Sequence, residues 1–474
     1  MKFSQLLEGA LPIFAYNPPG VKEPSLAVAV SQSGAVGLID LEGLDQKNGL
    51  SLLKKMATLE KWGVRASNRK HVSILLESQI DIPIIIVAYD IDEFVLAELN
   101  KRKGLILAEV VSLREAQAKN WADSFIVKGC EAGGRIGEET AFLLCQQFSK
   151  AGLLFALQGG IGLYTAPAAF VGGAEAIVLD GQLYLTDESP LSATTKDFLS
   201  KIESTDTVIL GETTSSKYRA FGRPGTPCIR KLLSLERKLW NDAPKNRRDI
   251  LDNERAKLLK GGFGASDLPN TVLPIGQDFS MGKKLIHRFG NTRNILRGLM
   301  EFIKESVALA NQEFPFLEDS SFAANHGIRF PIVQGPMANV SDTVAFARAI
   351  ADAGALPFLA FASLNQEQAS QAYEQFRAGL QDQSFGCGII GLEANALARE
   401  IHTDLMLEHR PACALVAAGT IEQAQDLTNR GVKTFLHIPS PQLLSQALES
   451  GLRHFVLEGM ECGGHIGFLT SFVL

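Results

Sequence analysis

The sequence predicts an α/β protein built from parallel strand–helix units, with that arrangement begun twice along the chain. Three observations predict it. Short apolar runs alternate with polar or amphipathic stretches through residues 11–179, as parallel strands and their crossover helices require. A segment near the end, Val456-Leu457-Glu458-Gly459-Met460-Glu461-Cys462-Gly463-Gly464-His465-Ile466-Gly467, has a weaker echo at Val127-Lys128-Gly129-Cys130-Glu131-Ala132-Gly133-Gly134-Arg135-Ile136-Gly137. The chain has 474 residues, and a parallel barrel takes about 250, so two such units fit. Strand count alone leaves a doubly wound open sheet as the rival.

The runs of the first half lie at 11–15, 35–41, 72–76, 82–88, 105–110, 124–127, 153–156 and 175–179. They are continuous and not alternating, which suits strands buried on both faces. Residues 151–174 carry no charge, yet Gln158, Pro167 and several glycines fit a strand, a glycine turn and a short helix better than a membrane span. Residues 1–16 include Glu8 and lack a convincing signal core. From 232 to 260, Lys, Arg, Glu and Asp mix with Leu at helical spacing, which reads as a solvated helical insertion or lid. Residues 283–310 read as a helical tail and 313–327 as a linker. A second set of runs follows at 330–333, 356–361, 385–390, 412–417, 434–438 and 454–457. The expected domains are 1–230, a first barrel; 231–318, lid and tail; and 319–474, a second barrel cut short after six strands.

Composition narrows the function. A formal net charge of −6 disfavours a nucleic-acid partner. Six scattered cysteines, with no C-x-x-C pair and no zinc-like spacing, suggest reduced thiols in a cytoplasmic setting and no metal site.

In each copy of the repeated segment a strand feeds a turn carrying an acid, two glycines and a base. Paired glycines let the backbone approach a flat ligand and adopt positive φ. His465 is a base of near-neutral pKa, able to move a proton at carbon. The competing reading is a turn histidine bonded to backbone. Arg135 cannot be a base, but it can bind a phosphate or carboxylate. Glu461 suits orienting loop amides, and Cys462 reads as a small filler. Gln334-Gly335-Pro336-Met337 is a strand-end turn, and Gln158-Gly159-Gly160 fits a phosphate-cradling turn. Arg219 to Pro224 reads as a surface loop.

The E-x-G-G-H-x-G pattern resembles the nitronate monooxygenase and flavin-dependent enoyl-ACP reductase superfamily, FMN enzymes on a (β/α)8 (TIM) barrel. That resemblance implies His465 as the catalytic residue. It implies FMN contacts at Gly133, Gly134, Arg135, Gln158, Gly159, Gly160, Gly181 and Gln277 in the first unit. In the second it implies them at Gly335, Pro336, Met337, Glu461, Gly463 and Gly464. Ile275-Gly276-Gln277 looks like a segment near the family's C-terminus. The first unit departs from the pattern: Arg135 stands for the histidine, Asp180-Gly181 for Gly-Thr, and Asn17-Pro18-Pro19-Gly20 for the Q-G-P-M turn. A carboxylate at 180 would repel a flavin phosphate unless paired. The tandem also looks like the N-terminal part of polyketide-synthase-type proteins. The expectation is therefore an FMN-dependent oxidoreductase, with NAD(P)H as a possible co-substrate and a small or carrier-bound acyl substrate. Acyl carrier protein and other synthase domains are the expected partners, and the first unit is expected to be degenerate. The alternative is a non-catalytic barrel scaffold within a synthase.

Overall fold

The computed structural model describes residues 9–312, 320–464 and 466–474. They divide into two compact units that part between Ala308 and Leu309. In the first, eight parallel strands close a barrel: β1 (Ile13–Tyr16), β2 (Val36–Asp40), β3 (Trp62–Ala66), β4 (Ile84–Val87), β5 (Leu105–Val110), β6 (Ser124–Lys128), β8 (Phe155–Gln158) and β9 (Ala176–Leu179). Closure is the pairing of β1 with both β2 and β9, where Phe14 lies opposite Val36 and Val178. This is the (β/α)8 barrel. A short strand, β7 (Gly134–Arg135), leaves the barrel after β6 and pairs with β10 (Thr207–Leu210) through β11 (Tyr218–Phe221).

Strand periodicity sorts the side chains. Phe14, Val36, Leu38, Ile84, Ile86, Leu105, Leu107, Ile126, Ala156 and Val178 fill the barrel interior. The intervening residues Ile39, Val64, Ile85, Val87 and Ile106 pack outward on Leu52, Leu53, Met56, Val72 and Leu75 of the surrounding helices. Most helices are capped by the residue types that favour caps. Asp45, Asn68, Asp92 and Ser112 each accept a backbone N–H three residues on.

Several expectations are corrected. Residues 72–76 are not a strand; they lie in the helix Arg69–Ser78, and the third strand is Trp62–Ala66. Gly63 and Arg65 interrupt that strand's apolar run, whereas Val72, Ile74 and Leu75 make a helical buried face. The charged stretch forms two helices, Pro227–Asp242 and Arg247–Leu259, which bury Leu232, Leu239, Leu251 and Leu259 against Tyr218 and Val272. It is thus half core, not wholly solvated. Residues 219–221 are buried strand, not surface loop. The linker contains the helix Ser321–His326, capped by Ser320, while 313–319 lie outside the described residues.

The second unit has a five-stranded parallel sheet in sequence order: β12 (Phe358–Ala360), β13 (Gly386–Ile390), β14 (Cys413–Ala417), β15 (Thr434–Ile438) and β16 (Phe455–Leu457). The expected strand at 330–333 is reduced to one parallel bridge between Val333 and Leu356. Pro331 has no N–H to give a ladder. Among the described residues no helix is long and apolar enough to cross a membrane.

Candidate functional site

The two glycine turns are built alike. Glu131 accepts the N–H of Ala141, and Glu461 accepts that of Ser471, each ten residues on. The Cys130 N–H donates to the Glu139 carbonyl, as that of Met460 does to the Leu469 carbonyl. Gly134 and Gly464 both take left-handed φ, +83° and +88°. A side chain there would be strained, which explains glycine in both. Each turn follows the strand that precedes it by one or two residues, β6 in one unit and β16 in the other.

Their surroundings differ. At the C-terminal end of the first barrel the inward positions become polar: Tyr16, Asp40, Arg65, Glu109, Lys128, Gln158 and Asp180 occupy or directly follow the strand ends. The Arg65 Nε and Nη2 reach Glu109 at 2.6 and 3.0 Å, and its Nη1 reaches Asp40 and Glu42, both at 3.1 Å. Lys128 Nζ donates to the Gly133 carbonyl at 2.7 Å and lies 3.9 Å from Glu109. Burial would raise the Glu109 carboxyl, but Arg65 and Lys128 outweigh it and hold it down at about 2. Asp40 goes the other way, because burial outweighs Arg65 and pushes it up to about 6. The space left beside these groups is about 30 Å³. A water needs roughly 10–15 Å³ on this measure, so two or so fit, whereas ligand pockets run to about 300–1,000 Å³.

The glycine turns of this unit are also spoken for. Asp180 accepts the N–H of Gly133 at 3.0 Å and the Gln158 side-chain amide at 3.2 Å. Asp278 accepts from the Ile161 N–H at 3.3 Å and the Gln182 side chain at 2.9 Å. Thr165 takes the Gly162 N–H, and the Gln182 side chain takes that of Gly181. Gln277 is brought here as well; its N–H donates to the Glu131 carbonyl at 2.8 Å. Gly159 and Gly160 adopt positive φ, yet a Cβ on Gly159 would meet Glu131 at 3.1 Å. A Cβ on Gly133 would meet the Pro274 carbonyl at 2.6 Å, and one on Gly181 the Phe279 ring at 2.7 Å. A phosphate needs free amides and a flavin ring needs a slot. At these turns the amides of Gly133, Ile161, Gly162 and Gly181 are taken and the space beside them holds no ring, so no chemistry is routed through FMN at the turns of the first barrel.

Arg135 stands outside this plug, paired to Glu115 at 2.8 Å. Arg219, taken from sequence for a loop residue, is buried and donates to the Cys130 carbonyl at 2.6 Å, bracing the glycine turn. Sequence reasoning missed Arg65, Glu109, Lys128 and Asp278. Glu109 and Lys128 were findable, since each falls on the inward parity near its strand's end; Arg65 was not, because its strand was itself missed.

In the second unit a Cβ at Gly335, Gly463 or Gly464 would meet no atom of the described residues within 4 Å, and Met337 is exposed. Pro336 packs on Gly388 of β13. Glu461 is tied to Ser471 through both N–H and hydroxyl. His465, the predicted catalytic residue, lies outside the described residues. Cys462 is exposed, as a filler beside an open turn can be.

Fold and site together define a parallel (β/α)8 barrel with glycine turns at its ligand-binding end. Residues 53–226 match the family model for nitronate monooxygenase. Among solved structures the chain is similar to FabK from Thermotoga maritima, at 23% identity and a TM-score of 0.54, covering 65% of this chain and 97% of that one. It is also similar to a nitroalkane oxidase from Streptomyces ansochromogenes, at 20% identity, TM-score 0.49, and 64% and 99% coverage. A third is the enoyl reductase domain of MlnA from Bacillus amyloliquefaciens, at 12% identity, TM-score 0.49, and 66% and 99% coverage. The first likeness shows the fold. No curated protein matches.

Proposed function

We propose that the chain is part of a flavin-dependent oxidoreductase of the nitronate monooxygenase and enoyl-ACP reductase type, with its chemistry in the second unit. The first unit is a barrel kept without flavin. The observation that carries this reading is a pair of turns of one construction, of which the first has its Gly133 N–H taken by Asp180 and the second runs on into a histidine, His465. The family match over residues 53–226 supports the enzyme class. The second unit repeats the strand–helix construction of the barrel, and the matched hydrogen bonds of Glu131 and Glu461 support the duplication.

In the second unit the turns at Gly335-Pro336-Met337 and Glu461-Cys462-Gly463-Gly464 would hold FMN, which supplies electron transfer when bound. His465 moves the proton at the substrate carbon, next to a nitro group or thioester carbonyl. Such positioned acid–base catalysis is worth about 10²–10⁴-fold. NAD(P)H as reductant, a carrier-bound acyl substrate and neighbouring synthase domains belong to the enoyl reductase form of this reading.

The test compares turnover of a nitronate and an enoyl thioester in flavin-loaded protein. His465→Ala should lose about 10²–10⁴-fold while keeping the flavin absorption band. Adding Arg135→His to that variant should restore nothing, because the first barrel has no slot for the ring. Full activity in His465→Ala, or rescue by Arg135→His, overturns the assignment. The 30 Å³ space at the first barrel's mouth favours a second reading for that unit, a scaffold within a synthase. Protein that stays colourless with added FMN would extend that reading to the whole chain.

A further inference from the structure

Beside the plugged mouth of the first barrel lies a separate cleft of about 1220 Å³. Its floor is the loops after β3, β4, β5 and β6, and its roof is the segment 212–218 with the helix Arg247–Leu259. Barrel ligands bind at this end of the strands. The whole chain is acidic, yet among the described residues nine basic and six acidic side chains line the cleft, an excess of three positive charges.

Two buried donors converge on it. Arg135 and Tyr218 face each other in the register of β7 and β11. Arg135 gives Nη2 to Glu115, while its Nη1 is buried with no hydrogen-bond partner among the described residues. Tyr218 is 2% exposed, and its hydroxyl also lacks a partner among the described residues. The Arg255 guanidinium, held by Asp252 at 3.0 Å, covers the Tyr218 ring at 4.4 Å from its centroid. A buried polar group left unsatisfied is costly, so two together at one cleft wall call for an acceptor. A guanidinium donor, a phenol donor and surplus positive charge specify an acceptor that is anionic. Phosphoryl oxygens, several per group and carrying up to two charges, meet that demand better than one carboxylate.

We propose that this cleft binds a phosphorylated small molecule, with Arg135 and the Tyr218 hydroxyl gripping a phosphoryl group and Arg255 beside them. The site does not depend on where flavin chemistry resides in the chain.

Calorimetric titration of the full chain at low salt tests it, with inorganic pyrophosphate as the probe and citrate as the carboxylate arm. Pyrophosphate should bind with a dissociation constant of about 1 mM or tighter. Arg135→Gln should weaken it at least about tenfold, since charged hydrogen bonds are worth about 1.5–3 kcal/mol. Tyr218→Phe should weaken it about threefold to tenfold. Because that oxygen has no partner among the described residues, the Tyr218→Phe variant should melt no lower than the native chain, which separates binding from folding. No binding at about 10 mM pyrophosphate, equal affinity in Tyr218→Phe, or citrate binding as tightly as pyrophosphate would each overturn the proposal.

Discussion

The Asp278 carboxylate accepts the Ile161 N–H inside the glycine turn that follows β8, at 3.3 Å and fully buried. An amide so placed is what a bound phosphate would otherwise use. Burial first, then the neighbouring Asp180 and Glu131, push this carboxyl well above the usual range. A carboxyl whose folded pKa is raised contributes stability that is present below its unfolded pKa and lost as pH rises through the folded value. Asp278→Asn no longer titrates but still offers an oxygen to Ile161 and Gln182. The variant should therefore gain on the native chain in urea midpoint as pH is raised from 4 to 8. A variant less stable than the native chain at pH 8 would refute the role given to Asp278.

The Arg65–Glu109 pair at the barrel's end makes a second, larger effect. Glu109 is 0% exposed and depends on two bonds from Arg65. Removing one member of a buried pair costs about 3–5 kcal/mol, because the other charge is stranded. Arg65→Met should cost that much in urea unfolding, and Arg65→Met with Glu109→Leu should recover most of it. A loss below about 1 kcal/mol in the single variant would mean that the pair is not the plug described.

His71 sets a pH limit on the first unit. It is buried in the helix after β3 and accepts the Ser67 N–H at 3.2 Å through Nδ1. Burial lowers its pKa from 6.5 to about 4, with Glu42 opposing and Arg65 assisting. A depressed folded value means stability that is present above pH 6.5 and lost as pH falls towards 4. The loss amounts to about 3 kcal/mol at most. Asp40 titrates with the opposite sign in this window, so the native slope alone is ambiguous. The difference between the native chain and His71→Gln isolates the histidine: it should shrink steadily from pH 6.5 to pH 4. A constant difference would show that His71 does not carry the acid sensitivity.

Much of this was legible in the residues. The strands whose runs are unbroken, such as 84–87 and 176–179, stand where apolar continuity puts them. β3 was hidden because Arg65 breaks its run, and that arginine is tolerated only through Glu109 and Asp40, 44 and 25 residues from it in sequence. Pairings of that span leave no local mark. The likeness of the two turns was visible as Glu131 and Glu461 each two residues before paired glycines. Closure of the first was half visible in Asp180. The other half, Asp278, comes from a segment 117 residues beyond Ile161 and could be seen only once the chain was folded.

The first barrel's own side chains hold the turn amides of Gly133, Ile161 and Gly181 that a flavin phosphate would use. Hydrogen exchange of the full chain, with and without about 1 mM FMN, tests it at the amides concerned. Exchange at Gly133, Ile161 and Gly181 should be unchanged by FMN, since Asp180, Asp278 and Gln182 already hold those N–H groups. Slower exchange at these three amides when FMN is added would contradict the account.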